Sequence, residues 1–508
     1  MMYQFYSLFV WMLIPFHIFS QTTFSVTIDN NQNSEEAWSI IQLADGSFVI
    51  ASLCLINPSW QDCMQLLKTD SLGNVIWNKQ YDHRKPGYRG TLNPTQDGGF
   101  TLGTWWYADN GVPDVFLLKF DSEGDTLWTR QFGGEGRDIG WDTAELPDGS
   151  LVVVGSTESF GNGGEDIYVV KTDAQGNFQW QRTFGGPGRD VSANIRIEGS
   201  GQILISGLTS DTPTGHFATI FLKLDDMGNE LLKKIILYSP NQDNCGAYII
   251  PSIKKGYIIN GCMDTIINEG NAEYPYYVGR LDEEANVEWM TYFNEDREKY
   301  VASIYELEDG HIMVQGINKN HPESEIYNTA WLAKVSPQGE ILWERNYQGE
   351  EGDYSWRIQD MCLTLDGGFA LAGAYRNIHN MENNPDVWIL KVDNMGCLEP
   401  GCGSELIRVT PNYVYTDIEE VSLLPPQNRI IYPNPISADS KLYLGNHLAD
   451  LLQIHDVTGR LLATYPIAAN TKEVSLGGLD LKLKEGMYLA TLSLKGRIIL
   501  QNKLAVVR

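Results

Sequence analysis

The sequence predicts an all-β protein: a seven-bladed β-propeller of four-stranded blades, followed by a small β-sandwich domain. Three observations support this prediction. A stretch of twelve residues recurs seven times, each repeat unit alternates like short strands separated by turns, and a different strand-rich pattern begins near residue 430. The 508 residues are 43% hydrophobic and 11% aromatic, which is enough to bury a core in more than one domain.

The recurring stretch places one basic residue at about every 54th position, a spacing typical of repeat architectures. These basic residues are Lys68, Lys119, Lys171, Lys223, Arg280, Lys334 and Lys391. Each unit reads as four strands without a helical period; in the third unit they are "WDTAEL", "SLVVVGST", "DIYVVKTD" and "FQWQRTFG". A single sheet of this size cannot bury its faces alone, so seven units favour a ring of stacked blades.

Two tight turns recur in the units. The first contains Asp-Gly, at Asp45, Asp97, Asp148, Asp309 and Asp366. The second is D-x-x-G, with its aspartate at Asp70, Asp121, Asp173, Asp225, Asp282 and Asp393. Asp and Gly are the residues that tight hairpin turns require, so we interpret these carboxylates as turn formers rather than catalytic groups. Ala285 is the one departure from glycine in the D-x-x-G turns.

A large apolar side chain follows each basic residue by nine positions in the first six units. These residues are Trp77, Trp128, Trp180, Leu232, Trp289 and Trp343. An indole at a fixed place in nearly every unit favours packing between blades over ligand binding. The seventh unit has Pro400 at this position and lacks a fourth strand, while residues 22–30 alternate like one. We expect residues 22–30 to complete the seventh blade and to close the ring.

The repeat resembles the bacterial surface propeller repeats of the form D-G-G-F…D-x-x-L-x-K-x-D-x-x-G-x-x-x-W, over roughly residues 22–400. Its D-x-x-G…W part is also similar to the tryptophan-docking repeats of quinone-dependent dehydrogenase propellers. Both resemblances imply the propeller fold. Neither implies a cofactor, and we predict none.

Residues 2–20 are apolar and uncharged, and polar sequence starts at Gln21, so residues 1–20 are expected to be a secretory signal peptide. A retained anchor is the alternative. Export permits disulfides, and the seven cysteines suggest three pairs: Cys54 with Cys63, Cys245 with Cys262, and Cys397 with Cys402. Cys362 is left over and is expected to be a buried thiol.

After Cys402 the repeat ends, and we expect a linker over 403–429 and a sandwich domain over 430–508. The domain contains "YPNP" at Tyr432, Pro433, Asn434 and Pro435, "DVTGR" with Gly459, "GMY" with Gly486 and Tyr488, and a terminal "KLAVV" with Lys503. These motifs resemble the type A C-terminal sorting domain of type IX secretion. The resemblance implies Sec export, passage through that machinery, and removal of the tail with release or surface attachment. A generic sandwich module is the alternative.

The formal net charge is −28, but residues 425–508 carry ten Lys and Arg against six Asp and Glu, so the negative charge lies in the propeller. A strongly acidic body repels nucleic acid and anionic membranes. The expected extracellular partner is therefore neutral or cationic, such as a glycan or a protein. No segment after the signal peptide is long and apolar enough to suggest a membrane span.

The sequence contains no recognisable catalytic, metal-binding or phosphate-binding motif. The second-to-third strand loops are long and each is different, so we place ligand binding on their face of the ring. Candidate ligand residues are Trp60, Trp105, Trp106, Tyr107, Asp109, Trp141, Tyr354 and Trp356, with Asp138, Asp190 and Asp353 nearby. A non-catalytic binding module is the favoured function. A polysaccharide hydrolase or lyase with an unrecognised site and a structural surface-layer component are the alternatives.

Overall fold

The computed structural model is built from β-strands, with no α-helix among the residues it describes. It describes residues 21–506 except 30–33, 57–60, 82–89, 109–110, 200, 237–238, 240, 242, 264, 268–270, 274, 294–298, 319–328, 349–353, 378–384, 404–405, 411, 417–418, 422–430, 433–440, 444–450, 457–459, 469–472, 476–485 and 495–496. The expected signal peptide, residues 1–20, lies outside this description.

Seven antiparallel blades form the ring, and within each blade the strands pair in chain order. The first strand of the chain, β1 (Phe24–Asp29), precedes them. The first blade contains β2 (Ser34–Gln42), β3 (Phe48–Ile56), β4 (Gln61–Thr69) and β5 (Val75–Tyr81). The second contains β6 (Thr91–Pro94), β7 (Phe100–Tyr107), β8 (Pro113–Phe120) and β9 (Thr126–Phe132). The third contains β10 (Asp138–Glu145), β11 (Leu151–Thr157), β12 (Asp166–Thr172) and β13 (Phe178–Phe184).

The later blades repeat this plan. The fourth contains β14 (Asp190–Glu198), β15 (Gln202–Thr209), β16 (Ala218–Leu224) and β17 (Glu230–Ile236). The fifth contains β18 (Asn244–Pro251), β19 (Tyr257–Met263), β22 (Tyr276–Leu281) and β23 (Val287–Tyr292), with a hairpin of β20 (Thr265–Ile267) and β21 (Asn271–Glu273) in its second-to-third strand loop. The sixth contains β24 (Lys299–Glu306), β25 (Ile312–Asn318), β26 (Thr329–Val335) and β27 (Ile341–Gln348). The seventh contains β28 (Tyr354–Leu363), β29 (Phe369–Asn377) and β30 (Pro385–Val392).

The predicted closing strand is confirmed. β1 pairs antiparallel with β30, with Phe24 opposite Lys391 and Ile28 opposite Val387. The N-terminal strand is therefore the fourth strand of the seventh blade, and the first and last parts of the repeat region meet in one sheet. This pairing removes the two open edges that the incomplete seventh unit would otherwise leave.

The core lies between blades, and the recurring tryptophan is part of it. The side chains of Trp128 and Trp180 are buried, and Trp180 belongs to the apolar cluster between the third and fourth blades. Each indole packs on the D-x-x-G glycine of the next blade: a Cβ added at Gly228 would come within 3.0 Å of the Trp180 ring. The same contact joins Gly124 to Trp77, Gly176 to Trp128, Gly339 to Trp289 and Gly396 to Trp343. The predicted packing role is confirmed.

The two departures from this pattern face each other. Ala285 replaces the glycine in the fifth blade and has a positive φ of 57°. Its neighbour in the preceding blade is Leu232, the one position where leucine replaces tryptophan, and both belong to the same apolar cluster. At the closure, Phe24 of β1 takes the place of the tryptophan, because a Cβ at Gly73 would lie 2.7 Å from its ring. The glycine therefore gives both a left-handed turn and room for an aromatic ring.

Polar side chains on the innermost strands join neighbouring blades. In the first, third, fourth and seventh blades the innermost strand contains a β-bulge, and the residue after the bulge accepts a backbone N–H from the next blade. Asp360 accepts from Ile40 N at 3.1 Å, and Asp142 accepts from Ile195 N at 3.2 Å. The side-chain oxygen of Asn194 likewise accepts a backbone N–H from the fifth blade.

The predicted linker over 403–429 is wrong in part, because it contains three strands of the propeller. They are β31 (Leu406–Arg408), β32 (Asn412–Tyr415) and β33 (Glu419–Val421). They pair parallel with the outer strands β27, β1 and β5 in turn, so residues 406–421 run along the rim of the sixth, seventh and first blades. We call this segment the belt. The belt pairs with outer strand edges that would otherwise be exposed, and its residue Val409 is buried in the core.

The C-terminal region contains two further antiparallel sheets. One is formed by β34 (Ile431–Tyr432), β35 (Lys441–Tyr443) and β38 (Glu473–Ser475). The other has the order β37 (Leu461–Pro466), β36 (Leu451–Asp456), β39 (Gly486–Leu494) and β40 (Arg497–Val506). Of the sorting-domain motifs, Tyr432, Gly486, Tyr488 and Lys503 lie in these strands, whereas residues 433–435 and Gly459 lie outside the described residues.

Candidate functional site on the loop face

The ring has two faces of different character. The first-to-second and third-to-fourth strand turns lie on one face, which we call the turn face. The second-to-third strand loops and the links between blades lie on the other, which we call the loop face. This division follows from the antiparallel order within each blade, and it agrees with the sequence prediction.

The Asp-Gly turns of the turn face use their carboxylates internally. Asp97 accepts from the ammonium group of Lys119 at 2.7 Å, and Asp366 accepts from that of Lys391 at 3.0 Å. Burial opposes ionisation of Asp97, but the hydrogen bonds from Lys119 and Thr95 outweigh it and hold its pKa below the ordinary value. The pKa of Asp45, Asp148, Asp309 and Asp366 is lowered as well. These groups bind their own turns.

The D-x-x-G aspartates behave in the same way. Asp225 accepts from the backbone N–H groups of Met227 and Asn229 and from the Asn229 side chain, all at 2.8–2.9 Å. These bonds, led by that from the Asn229 side chain, lower the pKa of Asp225. Asp70 and Asp282 show the same bonds and the same direction of shift. The recurring carboxylates are turn formers, as predicted.

The loop face contains a different set of carboxylates, at the ends of the strands. In the third blade Asp138 begins the first strand and Asp166 begins the third, and both side chains are buried. Asp138 accepts from Gly134 N at 2.7 Å and from the hydroxyl of Ser159 at 2.7 Å. Asp190 occupies the position of Asp138 in the fourth blade and accepts from Gly186 N at 3.0 Å.

These carboxylates come together where one blade meets the next. A Cβ added at Gly185 would lie 2.0 Å from an oxygen of Asp166 and 2.7 Å from one of Asp190, so only glycine fits between them. Gly133 is held in the same way by Asp114 and Asp138. Asp211 lies over the next glycine, Gly186, and accepts from Gly188 N at 2.7 Å. The Gly-Gly links therefore leave room for two aspartate side chains, one from each adjacent blade.

Burial raises the pKa of two loop-face carboxylates, Asp166 and Asp190. For Asp166 and Asp190 the largest cause is loss of solvent, and the nearby Asp211 raises both further. Glu165 is also buried, but it is paired: Arg189 Nε lies 2.7 Å from one oxygen, and Arg137 lies 3.4 Å from the other. Glu165 therefore has two arginine partners, whereas the aspartates are held by hydrogen bonds from the links and loops.

A third carboxylate group lies at the ring closure. Asp386 is the second residue of the third strand of the seventh blade, Glu35 lies in the first strand of the first blade, and Asp29 ends β1. Burial, with a further contribution from Asp29, raises the pKa of Asp386 to about 7. Burial also raises the pKa of Glu35, and Asp386 and Asp29 add to the effect.

The three predicted aromatic residues of the second blade are separated by strand alternation. Tyr107 is 46% exposed, Trp105 is half-buried, and their rings meet edge to face at 5.6 Å. Trp106 points to the other side of the strand, is buried, and packs on Phe116 at 4.9 Å in the core between the first and second blades. The prediction that Trp106 contacts a ligand is therefore wrong.

The other predicted residues are only partly described. Trp141 lies at the bulge of the third blade's first strand, half-buried, with an indole N–H that is buried without a hydrogen-bond partner. Tyr354 and Trp356 lie on β28, but their side chains lie outside the described residues. Trp60, Asp109 and Asp353 lie outside the described residues altogether. Whether these residues meet a ligand stays a prediction.

The cysteine predictions agree with the structure where it describes them. Cys54 and Cys63 are opposite each other on β3 and β4 and form a disulfide, and Cys397 is joined to Cys402. Cys262 is disulfide-bonded, while the side chain of its predicted partner Cys245 lies outside the described residues. Cys362 is a free, buried thiol.

Sequence reasoning missed most of the loop-face carboxylates. Asp114, Asp166 and Asp386 each stand at the start of a third strand, directly before an apolar run, and this recurring place was the available signal. Among the described residues, no group of His, Cys, Asp and Glu is arranged to hold a metal ion. The arrangement can accept hydrogen bonds and attract positive charge, and Trp105 and Tyr107 add an aromatic surface beside it.

The fold and this site define a class: a seven-bladed β-propeller, closed by its N-terminal strand, with an acidic loop face. No protein-family model matches the chain. In sequence it is similar to the regulatory protein FlaEY of Caulobacter vibrioides, with 31% identity over 122 residues. That match covers 22% of this chain and only 13% of FlaEY.

Among solved structures, the chain is similar to an α-L-arabinanase of Penicillium chrysogenum in complex with arabinobiose, with a TM-score of 0.40 and 14% identity over 74% of this chain and 98% of that one. It is also similar to the β-propeller domain of the Trilobed protease from Pyrococcus furiosus, with a TM-score of 0.43 and 9% identity over 72% and 96%. Scores at this level carry no functional argument, and the fold class rests on the strand order described above.

Within the described part of the chain, no helix has the length and hydrophobicity needed to cross a membrane.

Proposed function

We propose that this chain is an exported β-propeller that binds a neutral or cationic extracellular ligand, a glycan or a protein, on its loop face without catalysing a reaction. The observation that carries the proposal is the contrast between the two faces. The carboxylates of the turn face bind their own turns or a neighbouring lysine, whereas those of the loop face cluster between blades, and the pKa of Asp166, Asp190 and Asp386 is raised there. Such a face attracts positive charge and hydrogen-bond donors.

The alternative, a polysaccharide hydrolase or lyase, has one supporting observation: Asp190 and Asp211 are neighbouring carboxylates of the kind that acid/base catalysis uses. However, Asp138, Asp166 and Asp190 are at most 1% exposed; Asp138 and Asp190 accept backbone N–H groups of the links, and Asp166 accepts that of Asn162 in the second-to-third strand loop. Glycan cleavage needs two carboxyl groups that both reach the substrate. Their burial therefore argues against acid/base catalysis by these three groups.

The binding proposal is tested with the full mature chain on glycan and peptide arrays. Replacing Trp105 and Tyr107 together by alanine should weaken binding at least tenfold, because exposed aromatic residues are common hot spots. Tyr292→Ala is the matched control, since Tyr292 is 45% exposed on the outer strand of the fifth blade. Loss of binding on altering Asp121 and Asp173, with retention in the Trp105/Tyr107 variant, would place the ligand on the turn face instead.

We further propose that residues 430–508 are the type IX export address and that the chain reaches the outside of the cell through the periplasm. The support is the ordered set of sorting-domain motifs in the sequence and the opposite charge of this region. Truncation after residue 429 should leave a folded propeller in the periplasm, as measured by fractionation and immunoblotting. Normal appearance of the truncated chain outside the cell would contradict this.

A further inference from the structure

The belt meets three successive blades in the same way. It runs parallel to their outer strands, and it advances by seven residues from each blade to the next. At the fourth position after the recurring tryptophan, whose place Phe24 takes in the seventh blade, each outer strand pairs with a β-branched aliphatic residue of the belt. The pairs are Tyr347 with Ile407, Ile28 with Val414, and Tyr81 with Val421. The belt therefore follows one pairing rule on three edges.

The side chain one position earlier is buried on two of these edges. Thr27 is 0% exposed in the seventh blade, and Gln80 is 6% exposed in the first. The equivalent residue of the fourth blade is Ile235 of β17, and it is 41% exposed. In the part of the chain that the structure describes, no strand pairs with the outer edge of β17. β17 therefore exposes an apolar side chain at a place where the belt lies on other blades.

The fourth blade also repeats the basic residue of the first blade's edge. Lys79 donates to a backbone oxygen and a side-chain oxygen in the third-to-fourth strand turn of the next blade, at 2.8 and 2.7 Å. Lys234 donates in the same way, at 2.7 and 2.6 Å. Lys79 is opposite Glu419 of the belt, and the exposed Lys233 adds a second positive charge beside Lys234. A carboxylate on a strand added to β17 would therefore lie near positive charge.

This combination singles out β17 among the outer edges that the described chain leaves unpaired, those of the second to fifth blades. The second and third blades have the polar residues Gln131 and Thr183 at the position of Ile235. The fifth blade has the uncharged Thr291 at the position of Lys234. β17 therefore joins an exposed apolar residue to a basic one.

We propose that β17 binds an extended segment of another protein, which adds to the fourth blade as a fifth, parallel strand. The backbone N–H and C=O groups of the open edge supply the hydrogen bonds of such an addition. By the pairing rule of the belt, the segment has an acidic residue opposite Lys234, a large apolar residue opposite Ile235 and a β-branched aliphatic residue opposite Ile236. A second copy of the same edge is disfavoured, because it would bring Lys233 and Lys234 against the same lysines.

The experiment measures fluorescence anisotropy of a labelled synthetic peptide with the full mature chain. The peptide is SELIRVT, the sequence of residues 404–410, which presents Glu, Leu and Ile in the required order. Binding should be saturable. Ile235→Lys should weaken it at least tenfold, because the apolar contact is lost. Tyr292→Ala is the matched control on the fifth blade and should leave binding unchanged, since Tyr292 is exposed at the position of Ile235. The peptide SKLIRVT should bind about fivefold more weakly, because its lysine would lie opposite Lys234.

The proposal is overturned if SELIRVT does not bind, if SKLIRVT binds equally well, or if Ile235→Lys leaves binding intact. Equal weakening by Tyr292→Ala would also overturn it, because the edge would then not be that of β17. Dimerisation of the wild-type chain in sedimentation equilibrium, abolished by Ile235→Lys, would assign the edge to a second copy instead. The SKLIRVT comparison needs no variant, so it decides even if a variant does not fold. β17 lies on the rim, so failure here leaves the loop-face proposal standing, and the Trp105/Tyr107 variant tests that proposal separately.

Discussion

Carboxylates on the turn face and on the loop face of the ring experience opposite environments. On the turn face Asp45, Asp70 and Asp97 accept several hydrogen bonds from their own turns or from a neighbouring lysine, so the fold lowers their pKa. On the loop face Asp166, Asp190 and Asp386 lie near other carboxylates and are withdrawn from solvent, so the fold raises their pKa. Ionised carboxylates with a lowered pKa stabilise the folded ring, whereas ionising carboxylates with a raised pKa destabilises it. This contrast is what we expect when one face has a structural role and the other binds.

The largest effect should come from the packing contact behind the turn face. Trp180 is 8% exposed and covers Gly228 of the next blade. Trp180→Ala should lower the free energy of unfolding by about 3–5 kcal/mol, the usual range for a buried aromatic residue. Phe178→Ala is the control on the same strand, because Phe178 is 53% exposed. Equal losses of unfolding free energy for the two variants, measured by urea denaturation, would contradict the packing role of Trp180.

A smaller loss should follow from removing one turn-face carboxylate. Asp97 lies 2.7 Å from the ammonium group of Lys119, whose side chain is only 5% exposed. Asp97→Asn should cost about 1–3 kcal/mol at pH 7, because it leaves Lys119 buried without its counter-charge. Glu283→Gln, in the exposed pair with Lys255, is the control and should cost under about 1 kcal/mol.

The pH dependence of this variant has a definite sign. The pKa of Asp97 is lowered in the folded state, so its contribution is present above the unfolded pKa of about 3.9 and is lost as the pH falls through the folded value. The difference in melting temperature between wild type and Asp97→Asn should therefore shrink in acid. A difference that grows below pH 4 would show that another group is responsible.

Removing a loop-face carboxylate should change the melting temperature in the opposite direction. The pKa of Asp386 is raised to about 7, so the folded chain holds a proton that the unfolded chain has released between about pH 4 and 7. Ionising Asp386 therefore destabilises the fold as the pH rises through this window. Asp386→Asn should melt a few degrees above wild type at pH 8 and at the same temperature at pH 4. A melting temperature of Asp386→Asn below that of wild type at pH 8 would contradict the predicted contrast between the two faces.

The smallest expected effect is that of Tyr107→Ala on β7, next to the buried Trp106. Tyr107→Ala should change the free energy of unfolding by no more than about 0.5 kcal/mol, as surface substitutions do. Trp106→Ala should be far more costly, because Trp106 is buried against Phe116. Thermal melts of the two variants measure this directly. Similar melting temperatures would mean that Trp106 is not a core residue and remains a ligand candidate.

Most of the ring could be predicted from the sequence because its contacts repeat. The turns, the tryptophan position and the closing strand all follow from one period, and the fourth and fifth units, which depart from it at Leu232 and Ala285, do so at residues of one apolar cluster. The belt could not be predicted in this way. Its strands are three or four residues long, and they form only because the outer edges of the blades are available to pair with them.

The candidate site was harder to predict than the fold. Two adjacent aromatics on a strand must point to opposite sides, but the sequence alone did not show which of Trp105 and Trp106 faces the core. The loop-face aspartates occur at the same place in some blades only, so they do not stand out as a repeat. Their importance appears when neighbouring blades bring them together around Gly133 and Gly185.

The closing strand has a consequence for the order in which the molecule folds. Phe24 pairs with Lys391, so β1 has no antiparallel partner until the seventh blade exists. Pairing segments this far apart is slow, because a long loop must close first. The middle blades can form from local contacts, while β1 waits. β1 is then enclosed between β30 and β32, so the β32 part of the belt needs β1 in place, whereas β31 pairs with β27 of the sixth blade.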